Sequence, residues 1–191
     1  MAEEMVAGNA VRLVSDDFKH SGKIDMFAGR VSFSVFDNGP SRSAPIIKVL
    51  WSHTALVEFR VILKKIISEI DAQPITQDLL SWNKDLKTHE FRSKITVGRD
   101  AEKCIYFDAS GDKHKETVRI YLVTDVGRRI NGMELPKQRL TESGAEAIYE
   151  LLRILMDSAI RSPSRPANGG PITTTQVGTA PQTNVGTDVP F

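Results

Sequence analysis

The 191-residue chain has little of what marks several large classes of protein. It contains one cysteine, Cys104, so it cannot form an internal disulfide. No apolar run approaches the roughly 18–20 residues of a membrane-spanning helix. Its 25 Lys and Arg balance 24 Asp and Glu, and the resulting net charge of +1 excludes a polybasic protein that coats nucleic acid through charge alone. A locally basic groove on a neutral body is compatible with this balance.

The first five residues, MAEEM, are acidic and lack the basic-then-apolar order of a secretory signal. A lone cysteine fits a reducing interior. We therefore expect a cytoplasmic protein with no membrane partner.

Sequence signatures of common catalytic sites are missing. Four scattered histidines lack metal-ligand spacing, and there is no phosphate-binding loop, dinucleotide-binding turn or Gly-x-Ser-x-Gly elbow. We expect no enzymatic activity, no cofactor and no metal site. The alternative is a metal-dependent nuclease, which would need clustered carboxylates such as Asp108, Asp112, Glu116 and Asp125.

Composition changes abruptly after Ile160. Residues 162–191 are rich in Pro, Gly, Thr, Ser, Asn and Gln, and their only charged side chains are Arg165 and Asp188. Such a segment buries too little apolar surface to offset its ordering entropy. We therefore predict a weakly ordered arm over residues 1–24, one folded domain over 25–160 and a disordered tail over 161–191.

Hydrophobic alternation predicts five strands, at residues 30–36, 46–51, 90–98, 103–109 and 116–124. The last three form an antiparallel meander, and the dipeptide Asn131-Gly132 predicts a further hairpin. Residues 71–89 are polar and irregular, and no element is predicted there.

Two segments have the period of amphipathic helices. The first covers about residues 53–70, with Ser52 as its N-cap. The second covers about 143–160, where Ser143 and Glu146 have capping-box spacing. The predicted fold class is α+β, an antiparallel sheet of about five or six strands with two helices packed on one face. An oligonucleotide-binding (OB)-like barrel is the alternative.

The helices must cover the apolar face of the sheet, so the residues on its other face are the informative ones. Alternation assigns six cationic and aromatic residues to this helix-free face: Arg30, Arg92, Lys94, Tyr106, Arg119 and Tyr121. Cations track phosphates, and aromatic rings stack on unpaired bases with about 1–3 kcal/mol per base. Since a duplex hides its base faces, this combination favours single-stranded nucleic acid. The alternative is an ordinary solvated face.

Two further features extend the predicted binding surface. Trp82, in a polar segment, is a candidate for base stacking. Arg128 and Arg129 belong to a second basic cluster with Lys137 and Arg139. The alternative for this cluster is a solvated loop.

The tail ends in Asp188, Val189, Pro190 and Phe191. In this ending and in the composition of the linker, the chain resembles bacterial single-stranded DNA-binding proteins and several phage counterparts. In that family a DNA-binding domain is followed by a Gly/Pro/Gln-rich linker, several acidic residues and Ile-Pro-Phe. The resemblance implies that residues 188–191 bind replication, recombination and repair enzymes, with Phe191 as the anchor. The resemblance covers only the tail, where this chain has one acid and Val189 in place of isoleucine.

The helix-free face and this resemblance together predict a single-stranded DNA-binding protein. It would protect unpaired DNA, recruit replication and recombination enzymes, and act as a homo-oligomer, in the bacterial host cytoplasm if it is phage-encoded. The predicted element order looks more like the sheet-plus-helix folds of Whirly-type proteins, or a phage-specific design, than like a barrel. RNA binding, a transcription-associated module, and an interaction protein that uses Pro163 and Pro166 as a Pro-x-x-P ligand are the alternatives.

Overall fold

A computed structural model of the chain describes residues 11–15, 19–38, 44–123, 129–130 and 132–161. Eight strands form one antiparallel sheet: β1 (Val11–Val14), β2 (His20–Phe27), β3 (Arg30–Asp37), β4 (Ile47–Leu50), β5 (Ile75–Asn83), β6 (Thr88–Arg99), β7 (Ile105–Gly111) and β8 (Val118–Tyr121). Their spatial order is β4-β3-β2-β1-β8-β7-β6-β5. Helix α1 (His53–Ser68) links β4 to β5, and helix α2 (Lys137–Arg161) follows a small hairpin of β9 (Arg129–Ile130) and β10 (Met133–Glu134). The predicted α+β class, with both helices on one face of an antiparallel sheet, is confirmed.

The sheet has two four-stranded halves joined by little pairing. Strands β1 and β8 share one residue pair, Val14 with Tyr121, whereas the other neighbours pair over four or more residues. The sheet also curls, so that Gly111 at the end of β7 lies against Ile47 at the start of β4. Because β4 and β5 remain its two edges, the sheet is not closed into the OB-like barrel given as the alternative.

One apolar core lies between the sheet and the helices. Phe107 on β7 is the centre of an aromatic group in which its ring centroid is 5.6 Å from that of Phe33 and 5.5 Å from that of Phe59. These three rings come from the two half-sheets and α1, and all are fully buried. Their burial holds the two half-sheets together where backbone pairing is sparse.

Helix α1 forms as its sequence predicts. The Ser52 hydroxyl accepts a hydrogen bond from the Ala55 amide at 3.2 Å, which caps the first turn. Its apolar stripe, Leu56, Phe59, Leu63 and Ile66, is buried in the core.

Helix α2 begins earlier than predicted. It starts at Lys137, directly after Pro136, whose carbonyl accepts a hydrogen bond from the Leu140 amide. The predicted capping role of Ser143 is therefore wrong, because Ser143 lies inside the helix. No helix-breaking residue separates 137 from 143, so the helical period continues back to the proline.

Three strands were not predicted. Strand β1 lies within the expected weak arm of residues 1–24, β2 begins in that arm and runs on to Phe27, and β5 lies within the segment read as irregular. Gly22 interrupts the hydrophobic alternation of β2. A side chain does not fit at this position, because a Cβ atom there would lie 2.6 Å from the Phe33 ring. Leu13 and Ile24 are nevertheless fully buried, so the folded body begins at residue 11 at the latest.

The hairpin predicted around Asn131-Gly132 is confirmed by the pairing of Ile130 with Met133. Gly132 has a φ of 78°, which few other residues adopt without strain. None of the helices in the described ranges is long and apolar enough to cross a membrane.

Candidate nucleic-acid interface

The two tyrosines assigned to the helix-free face lie there but are buried. Tyr106 on β7 pairs with Tyr121 on β8, and their ring centroids are 6.3 Å apart. With Cys104 and Val123 they form a second apolar cluster, separate from the main core, and they are only 5% and 9% exposed. The expectation that these rings stack directly on bases is therefore wrong for this conformation.

Charged side chains and a tight backbone cover the rings. The Arg119 guanidinium lies 3.7 Å from the Tyr106 ring centroid, and the Lys137 ammonium lies 3.5 Å from that of Tyr121. The Tyr121 hydroxyl donates a hydrogen bond to Asp100 at 2.9 Å. Gly98 leaves room for the other ring, because a Cβ atom there would lie 2.7 Å from the Tyr106 hydroxyl. Hydrophobic alternation along a strand could not predict that the two rings are covered, because the covering groups come from neighbouring strands and from α2.

Arg119 is the predicted residue with the most defined geometry. Its Nε and Nη2 donate to the two carboxylate oxygens of Asp108, at 2.8 and 2.7 Å. The hydrogen bond to Asp108 raises the pKa of Arg119, so its charge is permanent. Burial, together with the neighbouring carboxylates, raises the pKa of Tyr106 despite the opposing effect of Arg119. The Arg119 side chain is still 43% exposed, so a fixed, flat cation faces solvent.

A cleft of about 350 Å³ opens beside Arg119, near the junction of the two half-sheets. It is lined by Ser15, His20, His114, Glu116, Thr117, Val118, Arg119 and Tyr121. The histidines come from β2 and from the segment between β7 and β8. Their positions in the sequence gave no indication that they share a cleft, because the chain folds β1 and β2 next to β8 only in the tertiary structure.

The remaining predicted cations with described side chains are exposed at separate places on the sheet. Lys94 is exposed on β6, in the same half-sheet as Arg119, and Arg92 is exposed at a bulge on the same strand. Arg30 is exposed at the start of β3, in the other half-sheet, and lines a different cleft near the end of α2. The structure therefore brings Lys94 and Arg119 into one region and leaves Arg30 apart.

Several predicted residues fall outside the described ones. Trp82 lies in β5 with its backbone opposite His89, but its side chain is not described. The backbone of Arg129 lies in β9, and its side chain is likewise not described. Arg128 and the tail residues Asp188, Val189, Pro190 and Phe191 lie outside the described ranges.

Two exposed aromatic residues were not predicted as site residues. Phe27 is 49% exposed beneath the Lys48 ammonium, which lies 3.1 Å from the ring centroid. Phe91 is 45% exposed on β6, next to Arg92. Phe91 lies an even number of residues before Ile95 and Val97, so strict alternation would place its side chain on the core-facing side of the strand. Only knowledge of the bulge could have placed it on the other side.

Within the described residues, no three His, Cys, Asp or Glu side chains are grouped closely enough to hold a metal ion. Asp108, one of the carboxylates considered for a nuclease, is occupied by its ion pair with Arg119.

No family model matches the chain, and no curated protein matches it in sequence. Among solved structures, those similar in three dimensions include the following two. The Trypanosoma bruciei MRP1/MRP2 structure has 9% identity and a TM-score of 0.46, covering 80% of this chain and 86% of that one. The plant transcriptional regulator PBF-2 has 10% identity and a TM-score of 0.39, covering 81% of this chain and 96% of that one. These values do not assign the chain to a family.

Proposed function

We propose that the helix-free face binds single-stranded DNA, and that the tail recruits replication and recombination enzymes to the bound strand. The observation that carries the proposal is the Arg119 guanidinium, which lies 3.7 Å from the Tyr106 ring centroid, donates two hydrogen bonds to Asp108 and is still 43% exposed. Arg119 also lines a cleft of about 350 Å³, which gives an unpaired base somewhere to enter.

A guanidinium plane supports stacking as well as electrostatic contact. Unpaired bases stack on arginine planes as they do on aromatic rings, and every base has a π-face. Because Arg119 is already fixed by Asp108 and Tyr106, it loses little side-chain entropy when a base binds. In this proposal the tyrosine supports the arginine, and the arginine contacts the base.

Phosphate contacts come from the neighbouring exposed cations. Lys94 is two strands from Arg119, about 10 Å across the sheet, and two residues, about 7 Å, along it, so the separation of about 12 Å is one that two nucleotides can bridge. Asp108 neutralises much of the charge of Arg119, so Lys94 and Arg92 supply most of the electrostatic attraction. We therefore expect modest affinity and a shallow dependence on salt.

The decisive experiment is a titration of fluorescent oligothymidine, its duplex form and the corresponding RNA at two salt concentrations. We expect the single strand to bind more tightly than the duplex. The variant Arg119→Ala should lose about tenfold in affinity, equivalent to about 1.4 kcal/mol, and Arg119→Lys should recover only part of it. Lys94→Ala should reduce the salt slope by about one.

Arg153→Ala is the matched control, since Arg153 is an exposed arginine on α2 that also pairs with a carboxylate, Glu150. It should bind oligothymidine like the unmodified chain. Equal losses in Arg153→Ala and Arg119→Ala, or tighter binding to the duplex, would contradict the proposal. Preference for the RNA strand would favour the RNA-binding alternative.

The tail is tested separately. Deletion of residues 188–191 should leave oligothymidine affinity unchanged and abolish capture of purified replication and recombination enzymes. Deletion of Thr173–Gln176, four linker residues, is the control and should leave both properties intact. If the first deletion also leaves capture intact, the proposed role of the tail is wrong.

A further inference from the structure

Strand β5 is an unusual sheet edge. It is nine residues long, about 30 Å at 3.4 Å per residue, and Asp78 is its one charged residue. Edges in natural sheets are generally short, or carry lysine or proline that discourages pairing with another chain. The opposite edge, β4, is short and carries a lysine: it has four residues, one of which is Lys48. The long edge is therefore suited to accept another strand.

A bulge places an apolar patch at this edge. Leu79 pairs with Ser93 and Leu80 pairs with Phe91, so Arg92 is an extra residue in β6. A one-residue shift moves a side chain to the other face of a sheet, which brings Phe91 to the same face as Leu80. Leu80 is 58% exposed and Phe91 is 45% exposed. The pair forms a row that runs across the ribbon to the β5 edge.

The end of this ribbon has little support from the rest of the fold. Pairing between β6 and β7 begins at Ser93, so residues 80–83 and 88–91 form a two-stranded extension. A lone two-stranded hairpin is marginally stable in water, and further strands on its edge stabilise it.

We propose that β5 pairs antiparallel with β5 of a second copy of this chain, about a two-fold axis at Leu80. A two-fold axis at this position pairs Leu80 with Leu80 of the second copy. Phe91, Leu80 and their two counterparts then form one apolar row across four strands. Asp78 then lies four residues, about 14 Å, along the strand from its mate, which is beyond the screening length of about 8 Å.

The charge pattern favours a second copy over nucleic acid as the occupant. Residues 75–91, which exclude the cations Arg92 and Lys94 of the proposed DNA contact, contain two Lys and three Asp and Glu, which is nearly balanced. Nucleic acid favours a surface of one sign, whereas a balanced surface does not repel its own copy. A contact along a single strand edge is small beside the roughly 800 Å² per partner of a stable interface, so we expect the dimer to depend on protein concentration.

Sedimentation of the full chain without nucleic acid tests this interface. The protein concentration should run from about 1 to 200 μM, because a contact of this size associates in that range. The mean mass should rise from 21.2 kDa towards twice that value. Leu80→Lys sets two like charges against each other at the axis and should weaken association at least about tenfold. Leu86→Lys is the control, because Leu86 is 66% exposed in the turn beyond the row. Circular dichroism of each variant verifies that the fold is retained.

A cross-link locates the axis. Leu80→Cys should form a disulfide-linked dimer under mild oxidation, while Met133→Cys, 72% exposed on β10, should not. The native Cys104 is 1% exposed and does not compete. A mass of 21.2 kDa at every concentration, or association of Leu80→Lys equal to that of the unmodified chain, would overturn the proposal. Loss of oligothymidine affinity in Leu80→Lys without any self-association would assign the ribbon to nucleic acid instead.

Discussion

Arg99 and Glu142 form a largely buried ion pair that ties the sheet to the second helix, with Arg99 Nη1 3.1 Å from Glu142 Oε1. The same guanidinium donates to the carbonyls of Ile66, Ile67 and Lys103. Arg99 thus satisfies two carbonyls in the last turn of α1 while it holds α2 in place. One side chain on β6 therefore positions both helices on the sheet.

Replacing Arg99 with methionine should lower the free energy of unfolding by about 3–5 kcal/mol, because it removes the buried cation paired with Glu142 and the donor to the carbonyls of Ile66, Ile67 and Lys103. Urea denaturation measures this change. Arg139→Met is the control, since Arg139 contacts Glu142 from a side chain that is 72% exposed and should contribute less than about 1 kcal/mol. Equal effects of the two substitutions would show that the buried pair has no special role.

Stability should also depend on pH through Glu142. Burial raises the pKa of this carboxyl, but hydrogen bonds from Gln138 and Arg99, together with the charges of Arg99 and Arg139, outweigh it and lower the pKa overall. A lowered pKa in the folded state contributes stability above the unfolded pKa of about 4.3, and this contribution is lost as the pH falls through the folded value.

The free energy of unfolding should therefore fall on acidification below about pH 4.3, and Glu142→Gln should reduce this dependence. Denaturation curves collected across that range give the measurement. Glu146→Gln is the comparison, because Glu146 is half exposed and 3.5 Å from Lys64. If Glu142→Gln and the unmodified chain lose stability in parallel, the carboxyl does not supply the dependence.

The turn between β2 and β3 stores backbone strain. Phe27 pairs with Arg30, leaving Ala28 and Gly29 as a two-residue turn with φ values of 49° and 74°. Positive φ costs alanine about 1 kcal/mol relative to glycine, so Ala28→Gly should be stabilising by about 0.5–1 kcal/mol. Thermal denaturation should show a higher midpoint, while Gly29→Ala should lower it. A lower midpoint for Ala28→Gly would mean that the glycine increases the unfolded-state entropy by more than the strain it relieves.

Local patterns in the sequence predicted those structural features that depend on residues close together along the chain. The strand through Val31, Phe33 and Val35 and the period of α1 are of this kind, and both were confirmed. The expected half-burial of that strand was wrong, because Ser32 and Ser34 on its other face are also buried. Strand β2 was missed because Gly22 interrupts its alternation where the Phe33 ring needs the space. The cover over Tyr106 could not be predicted, since it depends on the pairing of Asp108 with Arg119 across two strands.

The burial of the two tyrosines on the helix-free face leads to a chemical prediction. Nitration by tetranitromethane requires an accessible phenolate, and burial both shields Tyr106 and raises its pKa. Tyr121 is shielded by Lys137 and by its hydrogen bond to Asp100. Tyr149, on α2, is only partly buried. Mass spectrometry of peptides should therefore find nitration at Tyr149 well before the other two.

Oligothymidine should leave this nitration pattern unchanged if Arg119, and not a tyrosine, contacts the base. Arg119→Ala uncovers one face of Tyr106 and should make that ring reactive. This variant checks that the nitration rate measures how far the guanidinium shields the ring. Rapid nitration of Tyr106 and Tyr121 in the unmodified chain, with protection by oligothymidine, would instead show that the rings open and stack on bases themselves. The arginine would then act as a lid over the tyrosine and not as the contact.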